Sequence, residues 1–275
     1  MAQKEYCMLK KWFGLLLIAL PIMGYAAKSY WVDLTHVFSA ETLYWPTAKS
    51  FQLETVFDGM TPLNFYYSAK QFSAAEHGGT HLDAPSHFAK GKQSVAEIPI
   101  SHLMGKAVII DVRKQAIPDD DYLISIADIK SWEKDYGEIP KRSIVLFYTG
   151  YSKYWPNKFA YLGTTLAGEE AIHTLHFPGL AKDTAEWLIK NRQIKAVGID
   201  TASIDYGQTI RFPTHQVLAQ HNIPIFENVA HLNEVHSPFA EVVALPMKIK
   251  DGTGAPLRII AKAIPYQATP AKMET

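Results

Sequence analysis

The stretch EHGGTHLDAPSHF, Glu76 to Phe88, sets the hardest condition on how this chain can fold. Three histidines and an aspartate fall within eleven positions, set around two glycines and a proline. His77 and His81 would share a helix face, but Gly78 and Gly79 between them disfavour a helix. In an extended chain, positions 81, 83, 85 and 87 point to one side, and Pro85 ends ladder pairing there. A strand running into a turn is therefore expected, with the imidazoles and the carboxylate converging. Neutral imidazole and carboxylate are usual ligands of Zn²⁺, Mn²⁺ or Fe²⁺, and glycines let backbone crowd close to an ion. The same groups clustered without partners would be costly to bury.

A fold that holds this stretch must supply strands, and the rest of the chain has them. YWVDLTHVF, LNFYYSAKQF, KAVIIDV (106–112), SIVLFY (143–148), KAVGID (195–200), EVVALPMKI and LRIIAKAI read as strands. Helical patterns lie between several of them. One starts at a plausible N-cap, Ser125, and ends at Gly137. Another, AKDTAEWLIKNRQ, puts Ala181, Ala185, Leu188 and Ile189 on one face. Strands alternating with helices predict an α/β domain with a mixed sheet whose ends are closed by antiparallel strands. No linker or repeat interrupts residues 27–275, so a single domain is expected there. Lys plus Arg equals Asp plus Glu at 27 each, and no basic run lies beyond the N-terminus, which argues against a nucleic-acid partner.

The N-terminus has its own logic. Lys10 and Lys11 precede an apolar run from Trp12 to Leu20, then Pro21 and a small-residue site ending at Ala26. These are the three regions of a secretory signal peptide, and the run falls short of the roughly 20 apolar residues a spanning helix needs. Residues 1–26 are expected to be removed on export to the periplasm or medium, with no membrane association afterwards. Met8, just before the basic pair, is a second candidate start. Cleavage takes Lys4, Lys10, Lys11 and Glu5 from the 27 of each sign, leaving 24 basic and 26 acidic residues, a net of −2. It also takes Cys7, the only cysteine, so disulfide and thiol chemistry are excluded.

HGGTHLDAPSHF, 77–88, resembles the hallmark His-x-Gly-Thr-His-x-Asp-x-Pro-x-His-Phe of the metal-dependent cyclase family, and matches it at every fixed position. That family contains bacterial kynurenine formamidases and isatin hydrolases. DLTH (33–36), YWP (44–46), FPGL (177–180), VGIDTASID (197–205) and FPTHQVLAQHNIPIFENVAHL (212–232) follow in the family's order. The resemblance implies a swivelling β/β/α fold and a homodimer or homotetramer. It implies that His77, His81 and Asp83 hold a first metal and that His87 donates and accepts protons. His215 and Glu227, twelve residues apart, would complete a second site with Asp83 as the bridge. Trp45 would contact the substrate. The cofactor implied is Zn²⁺ or Mn²⁺, one or two per subunit.

The implied chemistry suits these residue types. Hydrolysis of an amide at neutral pH needs a strong nucleophile and a polarised carbonyl, and a divalent ion supplies both. A histidine that titrates near neutrality can take a proton from water and return it to the leaving nitrogen. A serine hydrolase would need Gly-x-Ser-x-Gly, and TGYSKY lacks the second glycine. The expected reaction is C–N cleavage of an aromatic formamide such as N-formylkynurenine. Opening of a cyclic amide such as isatin, or non-catalytic binding of a metal or small molecule, is the alternative. Tyr44, Phe65, Tyr66 and Tyr67 are candidates for an aromatic wall beside Trp45, or else for sheet core. His173 and His176, at i, i+3, lack an accompanying carboxylate motif and are expected in a surface or packing role, and His102, His221, His231 and His236 as polar surface or loop residues. His36 is a candidate support of the cleft. Asp200 and Asp205 are expected to cap a turn.

Overall fold

A computed structural model describes residues 28–266. The segment read as a signal peptide, 1–26, lies outside these residues. Twelve strands run in chain order: β1 (Tyr30–Asp33), β2 (Gln52–Met60), β3 (Tyr66–Ser73), β4 (His81–Asp83), β5 (Met104–Asp111), β6 (Leu123–Ile124), β7 (Ile144–Tyr148), β8 (Gly179–Leu180), β9 (Ala196–Ile199), β10 (Ile225–Glu227), β11 (Phe239–Pro246) and β12 (Gly254–Ala263). Three longer helices, Ile126–Tyr136, Lys182–Arg192 and Pro213–Gln220, stand between them.

The main sheet has the order β1-β12-β11-β5-β7-β9-β10-β4, and β12 also pairs with β4. That extra pairing closes seven strands into a barrel, with β1 added at its margin. β5, β7, β9 and β10 are mutually parallel, β11 and β4 join them antiparallel, and β12 pairs antiparallel with both β11 and β4. The mixed α/β sheet read from the sequence is present, and its antiparallel closing strands go further and seal it.

Alternation along the parallel strands feeds two cores. Ala107, Ile109, Ile144 and Leu146 point into the barrel, towards Ala244, Leu257 and Ile259. Val108, Ile110, Val145 and Phe147 point outward, where Ile129, Trp132, Leu188 and Leu218 of the three helices cover them. Strands covered on both faces need apolar residues at every position, which is why KAVIIDV and SIVLFY read as unbroken runs. The 126–136 helix keeps its predicted boundaries. Ser125 N donates to Asp128 Oδ2 at 2.8 Å, and Gly137 ends the helix at φ 91°. No helix among the described residues is long and apolar enough to cross a membrane.

β2 and β3 depart from the expected reading. They pair only with each other and form an arm whose residues are exposed on both faces apart from Gly59 and Ala69. Phe65, Tyr66 and Tyr67, read as cleft wall or sheet core, are 53%, 63% and 51% exposed on this arm. They are neither. β2 itself was not anticipated.

Candidate metal centre

β4 is the strand that closes the barrel, and it is also the heart of the metal motif. His81 and Asp83, two apart, share the face of β4 opposite Leu82, which points into the barrel, and antiparallel pairing sets Glu227 of β10 directly opposite His81. His81 Nε2 therefore lies 3.1 Å from Asp83 Oδ1 and 3.4 Å from Glu227 Oε2. Beyond Asp83 the chain turns at Pro85 into a single 3₁₀ turn, Pro85–His87. So strand ends at Asp83, and His87 reaches the site from the turn instead of from a continued ladder.

The two glycines of the motif have separate reasons. A Cβ on Gly78 would fall 2.0 Å from the Tyr44 ring, and Gly79 sits at φ +57° against Phe38. Close packing of Tyr44 and the left-handed turn bring His77 in from the arm side. His77 Nδ1 lies 2.6 Å from Asp83 Oδ1.

His215 arrives from the first turn of the 213–220 helix. Asp205 accepts hydrogen bonds from Thr214 N and His215 N at 3.0 Å each and meets His215 Nδ1 at 2.7 Å. One carboxylate thus caps the helix and turns the imidazole so that Nε2 faces Asp83 Oδ2 at 3.1 Å and Glu227 Oε1 at 3.2 Å. Asp205 was expected only to cap a turn. Asp200 holds the end of β7, accepting from Thr149 N at 2.7 Å and Gly150 N at 2.9 Å.

Five side chains named by the resemblance, His77, His81, Asp83, His215 and Glu227, therefore meet in one cup. Donor atoms 3.1–3.4 Å apart are spaced as the edges of a coordination shell with ligands ~2.0–2.2 Å from an ion. The charges tell the same story. Burial alone would lower the pKa of His81, yet hydrogen bonding to Asp83 and the charges of Asp83 and Glu227 raise it. Burial is likewise overridden at His215, which Asp205, Asp83 and Glu227 hold well above its ordinary value. Burial would raise Asp83, but the surrounding imidazoles, His77 first, keep it well below the usual carboxylate range. A buried cup that binds protons this strongly is one that favours positive charge, and the donor set fits a divalent cation.

Above the cup lies a cavity of about 310 Å³. Tyr44, Trp45, Phe88, Leu162 and Phe212 form apolar walls, and the five donors and His87 form the polar end. Phe88 and Phe212 replace Phe65–Tyr67 in the aromatic wall; both stand in quoted motifs, SHF and FPTH, whose histidines drew attention first. The His87 ring opens onto this space and stacks on His77 with centroids 3.8 Å apart. Desolvation by the surrounding protein lowers its pKa to about 4, against a smaller opposing pull from Asp83.

The remaining histidines stay away from the cup. His176 pairs with Asp121 at 2.9 Å, 45% exposed. His36 stacks on Trp155 at 4.2 Å, and burial, helped by His231, lowers its pKa to about 3. Its contribution to the site is through the backbone: His36 N donates to Thr80 Oγ1, which donates to Asn228 O beside Glu227. Asn228 also reaches the cup. Its Nδ2 donates to Gly79 O, the carbonyl that faces His81 Nδ1 at 2.9 Å.

A barrel-edge cup of this kind, under an aromatic cavity, defines a metal-dependent hydrolase. A family model described as cyclase matches residues 32–206, and the chain belongs to that family. It is 30% identical to the isatin hydrolase of Roseibium aggregatum over 194 residues, 68% of this chain and 71% of the relative. It is 28% identical to the kynurenine formamidase of Bacillus thuringiensis subsp. konkukian over 236 residues, 86% of this chain and 99% of the relative. Among solved structures, isatin hydrolase A from Labrenzia aggregata, bound to benzyl benzoate, superposes with a TM-score of 0.77 at 31% identity. The match covers 86% of this chain and 94% of that one.

Proposed function

We propose that this protein hydrolyses the C–N bond of a small planar aromatic amide, with His77, His81, Asp83, His215 and Glu227 as metal ligands and His87 as the proton carrier. The observation that carries this reading is the placement of His87, whose ring faces the cavity beside the five donors, within reach of a water between them and a bound carbonyl. A bound Zn²⁺ or Mn²⁺ supplies the Lewis acidity that acidifies water and polarises a carbonyl. His87 takes the proton of the attacking water and returns it to the leaving nitrogen. Trp45, Phe88 and Phe212 stack on the planar ring and keep bulk water from the reacting carbonyl. Asp205 keeps His215 in the tautomer that offers Nε2.

Two substrate classes suit the family's named members. The near-complete coverage of a kynurenine formamidase supports an aryl formamide such as N-formylkynurenine. The lining supports a cyclic amide such as isatin, because among the described residues around the cavity none is Lys or Arg to meet the carboxylate of an amino-acid substrate. A metal-reconstituted assay against N-formylkynurenine, isatin and formanilide tests the reading. Turnover of at least one is expected, and no turnover of any by metal-loaded protein contradicts it.

The arm supports a homodimer. A two-stranded hairpin is marginal in water, and this one exposes Leu53, Val56, Phe57, Met60, Leu63, Phe65, Tyr66, Tyr67 and Phe72. Nine such side chains offer on the order of the ~800 Å² per partner of a standard interface, and a second copy is the occupant we assign. Export rests on the order of residues 1–26 alone.

A further inference from the structure

The turn that carries His77 meets the turn that leads into β12, and they are fastened at Glu76. Its Oε2 accepts from three groups of the other turn: Thr253 Oγ1 at 2.7 Å, Thr253 N at 3.0 Å and Gly254 N at 3.2 Å. Thr253 Oγ1 also lies 3.0 Å from Nε2 of His77. A threonine hydroxyl has a single proton, and an ionised carboxylate can only accept. The Thr253 proton is therefore committed to Glu76, and the hydroxyl meets His77 with a lone pair. That lone pair is satisfied when Nε2 carries the ring proton, which leaves Nδ1 bare and facing Asp83 Oδ1.

We propose that Thr253 and Glu76 are positioning residues that fix the tautomer of His77 and so make it an Nδ1 ligand. His77 is then the odd member of the cup. His81 and His215 point Nδ1 at Gly79 O and Asp205 and turn Nε2 inward, whereas His77 is held the other way round.

The relay also joins the metal site to the closure of the barrel. Ala84 N donates to Thr253 O at 2.8 Å, and Gly254 pairs with Asp83 in the β12–β4 ladder. Gly254 packs against the His77 ring so closely that a Cβ would fall 2.4 Å from Cε1. The ring plane is thus set by Gly254, the first residue of the closing ladder, and the ring proton by Thr253 and Glu76 beside it. An imidazole with the proton on the wrong nitrogen cannot bind until it re-tautomerises and gives up this hydrogen bond, which is why outer partners typically tune metal affinity about 10–100-fold.

This inference rests on the cup being a metal site, and the test separates the two. Metal-stripped full-length protein is titrated with Zn²⁺ or Mn²⁺ against a competing chelator, for the native chain, Thr253→Val, Thr253→Ser and Glu76→Ala. Circular dichroism checks the fold. Thr253→Val, which keeps the shape and removes the hydroxyl, is expected to bind about 10–100-fold more weakly, and Thr253→Ser to return close to the native affinity. Glu76→Ala frees the hydroxyl proton to turn towards Nε2 and is expected to weaken binding as well. Folded Thr253→Val with native affinity overturns the proposal, as does Thr253→Ser binding no better than Thr253→Val. If Thr253→Val does not fold, Glu76→Ala with native affinity overturns it. A native chain that binds no metal sinks the metal centre itself.

Discussion

At the cup, the side chains of His81, Asp83, His215 and Glu227 are 3–4% exposed, and their polar atoms face partners. On the β2–β3 arm, nine large apolar side chains are 39–81% exposed, and β2 and β3 pair with no other strand. The two regions invert the usual rule, with charge inside and hydrocarbon outside. Each inversion is an unmet demand. Buried carboxylates and imidazoles call for a cation, and an apolar arm calls for a surface to cover it. The difference is in what answers: an ion can be supplied by a few atoms in fixed positions, whereas the arm needs area.

The sharpest way to break this comparison is at the strand that closes the barrel. Asp83→Ala removes the one residue that faces His77, His81 and His215 together, so metal and turnover are expected to vanish, with metal content per chain as the check. His81→Ala is expected to do the same. Retention of stoichiometric metal by either would mean the cup is held by other groups.

His87→Ala comes next in size. A lost general acid–base group typically costs about 10²–10⁴ in rate, so turnover should fall in that range while most metal stays bound. Metal loss as complete as in His81→Ala would make His87 a ligand, an arrangement its stacking on His77 allows. Glu227→Ala should be milder at the first site. His81 and His77 still face Asp83, and only the His215 side of the cup is emptied, which metal counting at increasing chelator strength resolves.

The arm gives the smallest effect on chemistry and the clearest on mass. Lysine at both Phe57 and Tyr67, whose rings are 5.7 Å apart, should convert a dimer to a monomer in light scattering. Both rings lie on the exposed arm, so circular dichroism of the variant should stay native. A native chain that is already monomeric at micromolar concentration contradicts the assigned occupant.

The sequence was most readable where the physics is periodic. The 126–136 helix is bounded by a serine cap and a left-handed glycine, and β5 and β7 are apolar throughout because both faces are covered. The five donors were readable for a different reason, their dense motif and its resemblance to a family. The arm was legible only in β3; QLETVFDGM of β2 buries neither face, so there was no alternation to find. Barrel closure was hidden because β4 is only three residues long and its partner β12 lies far along the chain. The parts that Asp205, Thr253 and Glu76 play at the cup were not legible because they act through hydrogen bonds, which leave no period in a sequence.

Metal-stripped protein, titrated back with Zn²⁺ or Mn²⁺ while melting temperature and amide hydrolysis are followed together, tests the central claim most directly. Stripping should abolish turnover and lower the midpoint, because Asp83 and Glu227 then lie buried together without a cation, and both should return with the same metal equivalents. Undiminished turnover and an unchanged midpoint after verified metal loss would contradict it.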